Sequence, residues 1–181
     1  METPLDPPIT QHHRMAEAVA RVARRINATV EEGRDSLDLS DCSLVSFPDG
    51  VFKMMRSCTH NIHTLSLANN QIKALSGKFF QTFTQLRELD LRGNVLTTLP
   101  EAVGDMEHLV SINLSKNKLE VFPERLMDIS SLQYISLEEN HITDLPLEKL
   151  SLMPSLKTLD VRSNPLSADA ASVHYQFALL R

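Results

Sequence analysis

The chain has no tryptophan and only two tyrosines, two cysteines and five glycines in 181 residues, and each scarcity excludes a class of protein. Cys42 and Cys58 are too few for a disulfide framework. None of the five glycines falls in G-x-G-x-x-G or a P-loop, and no serine lies in G-x-S-x-G, so neither a phosphate-cradling loop nor a nucleophile elbow is read. No uninterrupted run of about 18 apolar residues is available to span a membrane. Prolines and arginines break up residues 1–27, which therefore lack the apolar stretch of a secretory leader. A reducing, cytoplasmic setting is expected, with nuclear entry left open. The balance of 18 Lys and Arg against 23 Asp and Glu leaves a net charge of −5, which argues against nucleic acid as a partner. What remains is 42% apolar and 23% charged, the material of one globular core.

Leucine is abundant, with 27 copies, and its placement is periodic. Self-alignment gives LDLSDCSLVSFP from Leu37, LSLANNQIKALS from Leu65, LDLRGNVLTTLP from Leu89, INLSKNKLEVFP from Ile112, ISLEENHITDLP from Ile135 and LDVRSNPL from Leu159. One position of this frame is held by Cys42, Asn70, Asn94, Asn117, Asn140 and Asn164, at spacings of 28, 24, 23, 23 and 24 residues. Six copies in the pattern L-x-x-L-x-L-x-x-N/C-x-L resemble the leucine-rich repeat family, from about Ser36 to Leu166. Copies of 23 residues ending in L-P, with no cysteine-rich cap, are similar to its short intracellular members. The resemblance implies an α/β solenoid with a curved parallel sheet, and a role in protein binding.

The frame has physical content of its own. In LRELDLRGN, Leu89 and Leu91 alternate with Glu88, Asp90 and Arg92, the period of a strand buried on one face. An amide where the chain leaves each strand can satisfy backbone groups of its own and the adjacent turn, so Asn70, Asn94, Asn117, Asn140 and Asn164 are expected to form a structural ladder with Cys42 as the first rung. Phe47-Pro48, Leu99-Pro100, Phe122-Pro123 and Leu145-Pro146 end each ascending loop, because proline fixes φ and donates no hydrogen bond. Short helical turns come next, with Val103, Met106, Leu126 and Ile129 inward, and GVFKMMRSC lengthens the first of them.

Such a coil needs caps at both ends. Residues 1–9 read as a flexible tail and residues 10–34 as an N-terminal capping helix, whose Met15, Val19, Val22, Ile26 and Val30 form one stripe. Residues 35–166 carry the repeats. Residues 167–181 are expected to form a second capping helix, started by Ser167 and burying Val173, Phe177 and Leu180. Arg14, Arg21, Arg24 and Arg25 lie away from the valines and offer a secondary docking surface.

No catalytic constellation emerges. Asp38 and Asp90 occupy equivalent positions, but at about 4.8 Å per strand they stand roughly 10 Å apart with a residue between them. Cys58, His60 and His63 have poor spacing for zinc and no evident fourth ligand. No metal or cofactor is expected. The sequons at Asn27 and Asn113 carry weight only in a secreted chain.

Function is therefore read from the outward face of the sheet. Its columns run Ser36, Thr64, Glu88, Ser111, Tyr134, Thr158, then Asp38, Ser66, Asp90, Asn113, Ser136, Asp160, then Ser40, Ala68, Arg92, Ser115, Glu138, Arg162. Arg87, Glu88, Asp90, Arg92, Tyr134, Glu138, Asp160 and Arg162 are the candidate partner-binding residues, because charged and aromatic groups serve as interface anchors. The expected function is an intracellular interaction module or adaptor, a monomer holding a protein partner on this face. The alternative is a regulatory subunit acting on an enzyme such as a phosphatase or small GTPase.

Overall fold

The computed structural model describes residues 11–167 and 175–181. Six strands of three residues each recur in the repeat frame, at Ser36–Asp38 (β1), Thr64–Ser66 (β2), Glu88–Asp90 (β3), Ser111–Asn113 (β4), Tyr134–Ser136 (β5) and Thr158–Asp160 (β6). They pair in parallel and in chain order, with Leu37, Leu65, Leu89, Ile112, Ile135 and Leu159 in register. These central residues point inward and form the spine of a single core that runs the length of the coil.

The convex side is built from short helical segments, several of them entered through proline. Pro48 precedes a helix at Asp49–Met54 (α2), and Pro100 and Pro123 precede 3-10 turns at Glu101–Asp105 and Glu124–Asp128. Gly77–Thr82 (α3) and Leu147–Leu150 (α4) complete the set. Val103, Met106, Leu126 and Ile129 are all buried, as their spacing predicts. The longer first copy is filled by phenylalanine. The rings of Phe47, Phe52, Phe79 and Phe83 meet at centroid distances of 5.0 to 6.2 Å, within the favourable range for tilted and edge-on pairs.

The amide ladder joins the coils. Asn117 Nδ2 donates to Leu114 O of its own turn and to Leu91 O of the preceding one, each at 3.0 Å, while its Oδ1 accepts from Leu96 N at 3.0 Å. Asn70, Asn94, Asn140 and Asn164 repeat the arrangement. Cys42 sits on the first rung, where its N–H donates to Asn70 Oδ1 at 2.9 Å and its thiol to Ser40 O at 3.3 Å.

The first strand has no predecessor, and a helix supplies what a predecessor would give. Within the coil, the carbonyl at the position of Ser40 accepts an N–H from the previous repeat, as Ala68 O does from Asp41 and Arg92 O from Asn69. Along β1 those donors are side chains of the helix Gln11–Glu31 (α1). Thr29 Oγ1 donates to Ser36 O at 3.0 Å, Arg25 Nη1 to Ser40 O and to Asp38 O, and Arg21 Nη1 to Asp41 O at 2.6 Å. The spacing fits because four helical residues rise about 6 Å, close to the advance of two strand residues at about 3.3 Å each.

This docking corrects the helix stripe. Val22 and Ile26 are buried as expected, but Ala18 and Thr29 complete the buried face, while Met15, Val19 and Val30 are exposed, the first two at 63% and 70%. The polar side of the helix must face the edge strand, which turns the stripe partly outward. Arg21 and Arg25 therefore belong to the cap rather than to a solvated docking face, whereas Arg14 and Arg24 are exposed.

The far end differs more. Of the expected helix over 167–181, residues 168–174, including Val173, lie outside the described residues. Ala178–Leu180 is not helical but a seventh parallel strand (β7) on β6, with Val161 N donating to Leu180 O at 2.8 Å. A strand there answers the open edge of β6 directly, and Phe177 is buried while Leu180 stays partly exposed. Ser167 caps no helix turn among the described residues, and its hydroxyl donates to Asp144 Oδ1 at 2.9 Å.

Two substitutions probe these joints. Asn117→Ala strands two inward carbonyls and an amide, and is expected to lower unfolding stability by about 1 to 3 kcal/mol in denaturant titration. Arg25→Ala is expected to cost about 1 to 2 kcal/mol, whereas Arg24→Ala, at an exposed neighbour without such bonds, leaves the midpoint unchanged. Equal effects of the two arginine variants would remove the edge-capping account.

Candidate protein-interaction surface

The concave face carries Glu88, Asp90, Arg92, Tyr134, Glu138, Asp160 and Arg162, all on β3, β5, β6 or the residues just beyond them. Arg87 sits in the row just before the strands, at the rim, where its carbonyl accepts from Val110 and Ser111. The face thus brings these eight residues to one side of the sheet, but it uses them unequally.

Five of the six second-column side chains repeat one local bond, Ser136 being the exception among them. The acceptors take the N–H two residues onward: Asp38 Oδ1 from Ser40 at 2.9 Å, Asp90 from Arg92 at 3.0 Å, Asn113 from Ser115 at 3.0 Å and Asp160 from Arg162 at 3.1 Å. Ser66 Oγ does the same for Ala68 at 3.2 Å. This is the short-range bonding that Asp, Asn and Ser offer a chain leaving a strand. The reason for these residue types is local, and the regular run Asp, Ser, Asp, Asn, Ser, Asp is the signal that could have revealed it.

The three aspartates also hold arginines. Arg162 forms a two-point bond to Asp160, Nε to Oδ1 at 3.0 Å and Nη2 to Oδ2 at 2.7 Å, and lies 3.9 Å from Glu138. Arg92 stands 3.7 Å from Asp90, and Arg25 of α1 stands 3.9 Å from Asp38. The bond from Arg162 holds the Asp160 carboxyl below its ordinary range, overcoming the opposing effect of burial. At Asp38, burial works against ionisation but is outweighed by the hydrogen bonds from Ser40 and the charge of Arg25, so this carboxyl is lowered too. Burial pushes the Cys42 thiol up despite Arg25 and Arg21 nearby, which suits a structural thiol rather than a reactive one.

The middle of the face is small and uncharged. Ser111, Asn113 and Ser136 line it, and Ser115 is buried with its hydroxyl bonded to Asn113 Oδ1 at 2.7 Å. Tyr134 rises from this floor, 43% exposed. Among the described residues its ring meets no other ring and its hydroxyl makes no side-chain hydrogen bond. Beside the amide ladder, on the turn side of the sheet, an open groove of about 720 Å³ is lined by Lys116, Lys118, Glu139 and His141 among others. Three rungs of the amide ladder, Asn94, Asn117 and Asn140, lie in its wall, but the turn residues that flank them differ from copy to copy, so the groove has no sequence pattern of its own. His63 faces Asp35 at 3.8 Å, and Cys58 donates to Met55 O. No helix among the described residues is long and apolar enough to cross a membrane.

Known proteins share the same frame. A model described as leucine rich repeat matches residues 60–119, and one described as leucine rich repeats (2 copies) matches residues 130–172. The chain is 59% identical over 156 residues to leucine-rich repeat-containing protein 20 of Mus musculus and 56% identical to that of Homo sapiens, covering 86% of this chain and 85% of each relative. Among solved structures, a Leptospira interrogans leucine-rich repeat protein is similar with a TM-score of 0.61 and 32% identity, covering 70% of this chain but only 30% of that one. The leucine-rich repeat domain of the type III effector XopL is similar with a TM-score of 0.69 and 26% identity, over 90% of this chain and 55% of that one.

The lowered carboxyls set a pH dependence. A folded-state value below the unfolded one, about 3.9 for Asp, gives stability that is present above the unfolded value and lost as pH falls through the folded one. Stability is therefore expected to drop on acidification below about pH 4. Asp160→Asn should flatten part of that slope, measured as denaturation midpoint against pH, and an unaltered slope would mean that the Asp160–Arg162 bond contributes nothing.

Proposed function

The chain belongs to the leucine-rich repeat family, and on that premise we propose that it is an intracellular adaptor holding a protein partner on the concave face of its sheet. Repeats of this family generally serve as protein-interaction modules rather than enzymes. The observation that carries the reading is the continuity of one face: strands in unbroken register present polar and aromatic side chains without an intervening loop. At about 4.8 Å per strand this face is roughly 29 Å across, room for a helix or an extended loop of a partner. Arg14 and Arg24 of α1 remain as a secondary surface, reduced by the commitment of Arg21 and Arg25 to the cap.

Site-specific photo-crosslinking in cells tests this reading. A photoreactive amino acid at Thr158, on the concave face, is expected to yield discrete protein adducts. The same group at Glu124, exposed on the convex side, is expected to yield none in common with it. Adducts from Glu124 alone would move the partner to the other surface. If an adduct proves to be an enzyme, its turnover with and without this protein separates a regulator from an adaptor.

A further inference from the structure

Every repeat inside the coil is held from two sides, by the strand and amide rung before it and by those after it. The helix α1 is held from one side only. Among its described residues Ala18, Val22, Ile26 and Thr29 are buried, a seam of three apolar side chains and a threonine, while Met15, Val19 and Val30 face water. No backbone group of α1 bonds to β1 among the described residues. The bonds to Ser36 O, Asp38 O, Ser40 O and Asp41 O all come from the side chains of Thr29, Arg25 and Arg21. At the other end β7 is fastened by its backbone, with Ala178 N donating to Lys157 O and Val161 N to Leu180 O, each at 2.8 Å.

The helix also stands poorly by itself. Acidic side chains favour the first turn of a helix and basic ones the last, and α1 has neither. Arg14 near its start and Glu31 at its end carry the opposite signs. Its connection to β1 runs through Glu32, Gly33, Arg34 and Asp35, all exposed. Gly33 N donates to Val30 O and Arg34 N to Thr29 O, the bond pair that stops a helix at a left-handed residue. Gly33 is that residue, at φ +59°, and nothing but its chain neighbours lies within 4 Å of the point where a Cβ would stand. The joint is therefore free of packing on every side.

We propose that α1 is a hinged cover, which leaves β1 as one unit about the Gly33 joint while the repeats stay folded. Segments with few buried apolar side chains and an exposed connection open at lower cost than the core they rest on. Opening withdraws the donors from Ser36 O, Asp38 O, Ser40 O and Asp41 O together, because Thr29, Arg25 and Arg21 lie one helical turn apart on a single face. What is bared is a row of carbonyl acceptors along the first edge of the sheet. Arg25 is the catch: it spans two of these carbonyls, donates to the Cys42 sulfur at 3.4 Å and stands 3.9 Å from the Asp38 carboxylate.

Native-state hydrogen exchange on the full chain, read amide by amide by NMR at a series of low denaturant concentrations, tests the proposal. The amides from Val19 to Thr29 are expected to exchange at one common rate, about tenfold or more faster than the slowest amides between Leu89 and Leu137, because an undocked helix of this length is marginal in water. Their dependence on denaturant should be shallower than that of the coil, since undocking exposes little surface. Arg25→Ala should speed them about fivefold or more, and Arg24→Ala about twofold or less. Protection and denaturant slope equal to those of the coil would mean that α1 leaves only on global unfolding. Rates graded from the start of the helix, with Ile26 to Thr29 as slow as the coil, would mean fraying and no hinge. Unchanged rates in Arg25→Ala would remove the catch. Any of these three results overturns the proposal, and the first two are read from the wild-type chain whether or not the variant folds.

Discussion

Backbone polar groups inside a coil of short repeats have to be paired without the help of long helices or wide strands. Strands of three residues bond only a few amides, and the chain leaves each one through a tight turn whose carbonyls face the core. An unpaired buried carbonyl or amide costs about 1 to 3 kcal/mol, so several per turn would exceed the stability of an ordinary domain. The asparagine ladder resolves this with one side chain per repeat, because an amide both donates twice and accepts. Asn94 bonds Leu67 O and Leu91 O while accepting from Ile72 N, so each rung fastens two coils. Stacking, leucine burial and sheet register all depend on that link.

The same requirement explains the ends. At β1 there is no earlier rung, and Cys42 can replace asparagine because Arg25 reaches the carbonyls of Asp38 and Ser40 and the thiol itself. An exposed parallel edge is also a template for unwanted pairing, and a helix laid along it blocks that route. At the other end the coil is extended by β7 instead. Two solutions to one edge problem thus coexist, one through side-chain donors and one through the backbone donors and acceptors of an added strand.

These differences mark how far the sequence could be read. The repeat frame was legible because periodic leucines and asparagines encode it directly, and Val103, Met106, Leu126 and Ile129 came with it. The rotation of α1 was not legible, since Met15 and Val19 satisfy a helical stripe as well as Ala18 does, and only the position of the edge strand decides between them. Arg21 and Arg25 read as solvated because a wheel records direction and not what lies opposite. The strand at Ala178–Leu180 carries no copy of the frame that would distinguish it from a helix end. On the concave face, Asp90 and Asp160 have the composition of an interface anchor, and their use by Arg92 N and Arg162 N is invisible without the turn geometry.

Local bonding of this kind limits how a repeat surface acquires specificity. At five of its six positions the second-column side chain accepts a hydrogen bond from the N–H two residues onward, which favours Asp, Asn and Ser there. Where the bond is made by aspartate, an arginine stands beside it, from the third column at Asp90–Arg92 and Asp160–Arg162 and from α1 at Asp38–Arg25. The paired charges of the second and third columns therefore arise from the coil's own bonding. The first column carries no such duty among the described residues, and its members vary from Ser36 and Thr64 to Glu88 and Tyr134. A position free of structural work can vary without disturbing the coil, and on this face Glu88 and Tyr134 are the large side chains that occupy such positions.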